Sequence, residues 1–245
     1  MQAMLFAAGL GTRLRPLTDT MPKALVSVGG RPLISHVAER LTQAGCDHIV
    51  VNVHHHAAML TTYLQTHDLG ARISISDEQD ALLDTGGGLL KAAPLFGAKA
   101  SERLLIHNVD ILSNADLQAL YRHQPTAAAV LLVSQRETSR YLLFDAAMRL
   151  VGWTNIKTGE VKSPYPNLDV AGCRRLAFSG IHCFDARLFT LMRDRGYTGK
   201  FSIIDFYLSV CADTPIYGYS DAHLRLLDVG KIDSLAAAED FLLTL

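Results

Sequence analysis

The 245-residue chain is 49% hydrophobic and 19% charged, with a formal net charge of −1 and four cysteines. Those proportions suit a globular protein and, with no basic run, exclude nucleic acid as the main partner. No apolar run reaches membrane length, no charged leader opens the chain, and Cys46, Cys173, Cys183 and Cys211 form no C-x-x-C pair, so a cytoplasmic protein with free thiols and no membrane partner is expected.

Met4 to Ala8 is an apolar run short enough for a buried strand, and Gly9-Leu10-Gly11-Thr12-Arg13-Leu14-Arg15 follows at once. Gly9 and Gly11 leave a turn whose backbone N–H groups can close on phosphate oxygens, with Arg13, Arg15 and Lys23 as neighbouring cations. Pro16 and Pro22 oppose a continuous helix. This is not a Walker loop, because Gly199-Lys200 and Gly230-Lys231 run into Phe201 and Ile232 where Ser or Thr is required. It is not a dinucleotide fingerprint either, because Leu14 stands where the third glycine belongs.

Pro32 is suited to the first turn of a helix carried by Leu33, Val37, Leu41 and Ala44, with Gly45 as its stop. Ile49 to Val53 reads as a second buried strand. His54-His55-His56 cannot easily converge on one ion, since neighbouring strand side chains point to opposite faces, and polar residues opening a helix over 57–69 are expected instead. Residues 71–76 read as a strand. Thr85-Gly86-Gly87-Gly88 reads as a loop whose glycines permit close approach of a ligand, with a plain mobile loop as the alternative. A short helix over 89–96 is expected next, interrupted at Pro94.

Arg103 to His107 is a further interior strand, delivering Asn108-Val109-Asp110 at its carboxyl end, where ligands of open α/β sheets gather. A carboxylate there is placed to hold Mg²⁺ together with phosphates and water. Ser113 or Asn114 is expected to cap the following helix. Strands over 127–134, 141–144 and 150–153 break strict strand–helix alternation and predict an antiparallel layer. Residues 154–174 read as an exposed polar excursion, 176–184 as a strand, 185–195 and 202–212 as helices. Strands over 216–219 and 223–227 close the pattern, before Asp228-Val229-Gly230 and a helix over 234–243. Read alone, Asp228 is as well explained by a turn or N-cap as by a metal. With no Ser/Gly/Pro-rich linker, one domain over 1–245 is expected.

From Ala7 to Lys23 the chain resembles the signature of sugar-1-phosphate nucleotidyltransferases: Ala-Ala-Gly-x-Gly-Thr-Arg-x-x-Pro-Leu-Thr, then Pro-Lys. The resemblance implies a mixed, mostly parallel, Rossmann-like sheet flanked by helices, of the GT-A-like kind, with a small antiparallel layer on the sugar side. It implies a nucleotide-binding half over about 1–125 and a sugar-binding half over about 126–245. Ala7, Ala8, Gly9, Gly11, Thr12, Arg13 and Lys23 would wrap a nucleoside triphosphate, with Asn108 at the adjoining strand end. Gly86 would lie against the base, read by Glu78 or Gln79. Asp110 and Asp228 would hold Mg²⁺, with Arg13, Lys23 and Asp110 as the catalytic set. Gly180 would face the sugar, and Trp153 would either wall the sugar or fill the core.

The chain departs from the family at two places. Val109-Asp110 stands where Gly-Asp is usual, which adds bulk near the ribose, and Phe178-Ser179 precedes Gly180 where relatives often have Asn. The resemblance implies Mg²⁺-dependent, direct transfer of a nucleotidyl group to a sugar 1-phosphate, in a monomer or small homo-oligomer. The compact length and the acidic lead into Thr85 resemble uridylyltransferases of cell-wall sugar recycling. Mannose and heptose 1-phosphate guanylyltransferases are similar in outline. Two other classes stay open. A GT-A glycosyltransferase would want an Asp-x-Asp pair that Asp110-Ile111-Leu112 does not supply, and a nucleotide-sugar sensor would lose the charged residues that are present here.

Overall fold

A computed structural model of the chain describes residues 1–97 and 102–245. The first half contains strands β1 (Gln2–Phe6), β2 (Ser27–Val28), β3 (Arg31–Pro32), β4 (His48–Val53), β5 (Arg72–Asp77), β6 (Arg103–Asn108) and β7 (Ile111–Ser113). Its helices are α1 (Leu33–Gln43), α2 (Ala57–Thr66), α3 (Asp84–Ala92) and α4 (Leu117–Arg122). The second half adds β8 (Ala129–Ser134), β9 (Arg140–Phe144), β10 (Leu150–Asn155), β11 (Glu160–Lys162), β12 (Arg174–Asp185), β13 (Ile216–Ser220) and β14 (Leu226–Asp228). Helices α5 (Arg187–Asp194), α6 (Ile203–Val210) and α7 (Asp233–Leu242) complete it.

The main sheet runs β11-β10-β9-β12-β6-β1-β4-β5, with β8 paired to β12 and β13 to β8. Strands β5, β4, β1 and β6 are mutually parallel, and β12 enters antiparallel to β6, giving the mixed sheet expected. Strands β1, β4 and β6 are buried along nearly their whole length because both faces are covered, whereas the edge strand β5 (Arg-Ile-Ser-Ile-Ser-Asp) alternates. Successive residues still divide by face. Ala3 and Leu5 join Ile34, Val37, Leu41 and Leu60 on one side, while Met4 joins Leu89, Phe189 and Phe206 on the other. A smaller cluster packs α7 against the N-terminal loop and holds Leu14 and Val229, the chain neighbours of Arg13 and Asp228.

The antiparallel layer consists of β9, β10 and β11 against the first part of β12. Residues 154–174 are not wholly an excursion: β10 runs on to Asn155, and the exposed β11 turns back along it. Two local expectations fail. Asp116, rather than Ser113 or Asn114, caps α4 by accepting the Ala119 N–H at 2.9 Å, since Ser113 is occupied in β7. Gly86, Gly87 and Gly88 lie inside helix α3 and not in a loop. Packing overrides the poor helix propensity of glycine, because side chains at these positions would collide with Phe201, the Gly199 carbonyl and Glu78. The close approach is to the protein itself.

Candidate active site

A cleft of about 460 Å³ opens at the carboxyl ends of β1, β4, β5 and β6. Register puts Asn52, Phe6 and Asn108 on one rung of three adjacent strands, so three strand ends deliver their loops side by side. Gly180 completes this row from β12. It sits at φ +78° beside a register shift, and a Cβ there would lie 2.6 Å from Asn108 Nδ2. Only a residue without a side chain lets Asn108 stand where it does.

The loop after β1 is held open by buried hydrogen bonds. Asn52 Oδ1 accepts the N–H groups of Ala7 (2.7 Å) and Ala8 (3.3 Å). Its Nδ2 donates to Glu78 Oε1 at 2.7 Å, and Glu78 Oε2 accepts the Leu83 N–H at 3.1 Å. Thr18 Oγ1 donates to the Gly11 carbonyl at 2.8 Å. Gly11 itself has φ +63°, and a Cβ would lie 2.7 Å from Thr18 Cγ2. His55 Nε2–H donates to the Thr18 carbonyl at 3.0 Å, and His54 Nδ1–H to the Glu78 carbonyl at 2.7 Å. These two histidines therefore brace the loop, and no group of three metal-ligating side chains occurs among the described residues. Among those residues no protein acceptor takes the N–H of Gly9, Leu10, Gly11 or Thr12. Gly9 faces open space, with nothing within 4 Å of where its Cβ would stand. Successive unpaired amides beside cations suit an anion.

Lys23 is mostly buried and its Nζ donates to Asp110 Oδ2 at 2.5 Å. Strand β14 pairs antiparallel with β7, and the Val229 N–H donates to the Asp110 carbonyl at 2.8 Å, which brings Asp228 next to Asp110. Gly230 lines the cleft, whereas Asp228 lies against it. A Cβ on Gly230 would meet Asp228 Oδ1 at 2.5 Å and the Arg13 guanidinium at 2.7 Å, so this glycine keeps the two groups close. Asp228 Oδ1 is buried without a hydrogen-bond partner. An unpaired buried carboxylate oxygen next to a second carboxylate fits a divalent cation of the kind that also takes phosphate oxygens.

Of the residues singled out in the sequence, Ala7, Ala8, Gly9, Gly11, Thr12, Arg13, Lys23, Glu78, Asn108 and Asp110 all line this cleft. Glu78 has both oxygens engaged and none of its surface exposed, so it ties the loop to α3 instead of offering a free edge. Gln79 points elsewhere, donating to Asp77 Oδ2 at 2.7 Å. Gly86 is buried in α3 with its N–H on the Phe201 carbonyl. Val109 is packed in the core cluster on the α1 side and also lines the cleft. Trp153 is outside the lining: it packs on the core, with Lys162 Nζ 5.3 Å from its ring centroid. His107 and His182 are buried and do not line the cleft, and burial pushes their pKa down to about 4 and about 3.

Two contributors escaped sequence reasoning, Asn52 and Lys200, while Thr85, which lines the cleft, was read only as part of the glycine segment. Asn52 had a usable signal, since a polar residue inside the apolar run Ile49–Val53 must find buried partners. Thr85 accepts the Ile203 N–H on Oγ1 at 3.0 Å, a contact across 118 positions with no local sequence mark.

A parallel sheet with an amide-rich loop, paired cations and adjacent carboxylates at its carboxyl edge is the architecture of a nucleotide-phosphate transferase. The chain belongs to the nucleotidyl transferase family, whose profile matches residues 2–244. It is 31% identical, over 97% of its length and 95% of the relative's, to an N-acetylmuramate alpha-1-phosphate uridylyltransferase of Caulobacter vibrioides. A mannose-1-phosphate guanyltransferase beta-B of Xenopus laevis is 32% identical over 58% of this chain and 40% of its own. Among solved structures, a UDP-glucose pyrophosphorylase complexed with UDP-glucose superposes with a TM-score of 0.76 at 16% identity, covering 99% of this chain and 98% of that one. HddC from Yersinia pseudotuberculosis complexed with GMP-PN gives a TM-score of 0.75 at 16% identity, over 98% and 99% of the two chains.

Proposed function

We propose that the chain makes a nucleotide sugar and pyrophosphate from a nucleoside triphosphate, with UTP favoured, and a sugar 1-phosphate. One observation carries this reading: the loop amides of Gly9–Thr12, Arg13, Lys23 and Asp110 converge on a single cleft at the carboxyl edge of the parallel strands. Preference for uridylyl transfer, with N-acetylmuramate 1-phosphate as acceptor, rests on the near full-length likeness to the Caulobacter relative. The guanylyltransferase likeness covers little more than half of the chain and supports GTP as the second choice.

The attacking group is a sugar-phosphate oxygen that is already anionic, so no base is required. That oxygen forms a bond to the α-phosphorus while the bond to the β-phosphate oxygen breaks, and pyrophosphate departs with the electron pair. The obstacle is repulsion between two polyanions and their alignment, which fixed donors relieve without reorganising during the reaction. Arg13 and the loop amides stabilise the departing pyrophosphate. Lys23, held by Asp110, orients the α-phosphate. Asp110 and Asp228 would hold Mg²⁺, which when bound draws negative charge off the reacting phosphates. The strands and loops of 1–125 hold the nucleotide and those of 126–245 the sugar, in one unit, with Gly180 on the sugar side.

Pyrophosphate release from four nucleoside triphosphates, each offered with N-acetylmuramate, N-acetylglucosamine, mannose and glucose 1-phosphates, tests the reading. Release with UTP and the first acceptor is expected. No release with any pair would refute the proposal.

A further inference from the structure

Side-chain alternation along β6 sends Asn108 to the cleft and His107 to the α1 face of the sheet, where Leu105 and Val109 also pack. A second cavity, of about 360 Å³, lies on that face between α1, β7 and the end of α7. His107 lines it and is only 2% exposed. Its Nδ1–H donates to the Asn108 carbonyl at 2.8 Å, which fixes the tautomer and leaves Nε2 as a bare acceptor. Nε2 has no partner among the described residues, yet it is not sealed in as both ring nitrogens of His182 are. Burial pushes the pKa of His107 down to about 4, so this acceptor is uncharged at neutral pH.

Arg40 lines the same cavity from α1 and is half-buried. Its Nη2 donates to the Ala115 carbonyl at 2.7 Å, which holds the guanidinium in place and leaves its other N–H groups for a ligand. The neighbouring carboxylate, Glu39, is taken by Arg31 at 2.8 Å. Val37, Ile111 and Leu117 supply a buried apolar floor. The cavity thus combines a fixed cation, an uncharged acceptor and apolar surface. A carboxylate matches the guanidinium. An apolar floor with a neutral acceptor takes a hydroxyl at far lower desolvation cost than an ammonium. We propose that this cavity is a second binding site, for a small hydroxy carboxylic acid. Its carboxylate binds Arg40, its hydroxyl donates to His107 Nε2, and its hydrocarbon body rests on Val37, Ile111 and Leu117.

The test titrates wild type with phenyllactate, with phenylpropionate, which lacks the hydroxyl, and with phenylalanine, which carries an ammonium in its place. Calorimetry gives each Kd, and nitrogen NMR of histidine-labelled protein follows the ring nitrogens. Phenyllactate should bind in the millimolar range or tighter and move one Nε2 signal, the one that His107→Gln removes. Phenylpropionate should bind about 2- to 10-fold more weakly, as expected for losing one neutral hydrogen bond. Arg40→Gln should weaken phenyllactate about 10- to 100-fold, and Arg40→Lys should recover part of that loss. Thermal melting checks that the variants fold, and the comparison of the three acids needs only wild type. No binding of phenyllactate, equal affinity for phenyllactate and phenylpropionate, or tighter binding of phenylalanine would overturn the proposal. Undiminished binding by a folded Arg40→Gln protein would do the same.

Discussion

Ala7–Lys23 on the near side of the cleft and the Gly199–Phe201 turn on the far side differ in how their geometry is secured. The near side is locked by side chains with almost no exposure: Asn52 at 3%, Glu78 at 0% and Thr18 at 1%. Its polar atoms are spent on shaping backbone, which leaves the amides of Gly9–Thr12 directed outward. The far side is secured mainly by backbone hydrogen bonds and close packing, and it presents the long, exposed side chain of Lys200. Phosphate chemistry gains most from donors that need not move, whereas a wall that selects among sugars can vary its side chains without disturbing the scaffold.

The largest effect should follow from Arg13→Ala. Loss of one charge clamp on the departing pyrophosphate should cost about 10²–10³ in kcat, read from initial rates of pyrophosphate release. A rate like that of wild type would remove the near side from the chemistry. Asp228→Asn should raise the Mg²⁺ concentration needed for half-maximal rate, while leaving the melting temperature close to that of wild type. A metal titration of both proteins measures this.

Asn52→Ala sharpens the contrast further. It strands the Ala7 and Ala8 N–H groups and one Glu78 oxygen, at a cost to stability of about 1–3 kcal/mol per group left unsatisfied. Urea unfolding should show the loss, and the loosened loop should raise KM for the triphosphate more than for the sugar 1-phosphate. Equal effects of Asn52→Ala on both substrates would dissolve the distinction between the two sides.

The smallest effect concerns acid. His107 and His182 have native pKa values lowered to about 4 and about 3 by burial, below the ordinary 6.5. The unfolded chain therefore binds more protons as pH falls below 6.5. Stability should be fully present above that value and should decline through the window down to about 4 and 3. His182→Leu should flatten this decline, measured as the urea midpoint at several pH values. Neither imidazole lines the cleft, so the decline should appear in stability before it appears in KM.

Local chemistry made the near side legible. A left-handed glycine, two prolines and the cations Arg13 and Lys23 lie within a short window, and each residue type carries its own conformational or electrostatic reason. The parallel strands were legible for a similar cause, since burial on both faces leaves apolar runs. Successive strands without intervening helices in the second half marked an antiparallel layer but not its partner strands. Residue type alone determined that a glycine loop flanked by cations follows β1 and that a carboxylate, Asp110, lies just beyond β6. Tertiary structure decided why α3 is rich in glycine, where Lys200 points, and that Glu78 is a brace. Those answers lie in contacts across 45 positions between Ala7 and Asn52 and 118 between Thr85 and Ile203. Steric exclusion and buried hydrogen bonding act between atoms that meet only after folding, and neither leaves a mark on the residues next in the chain.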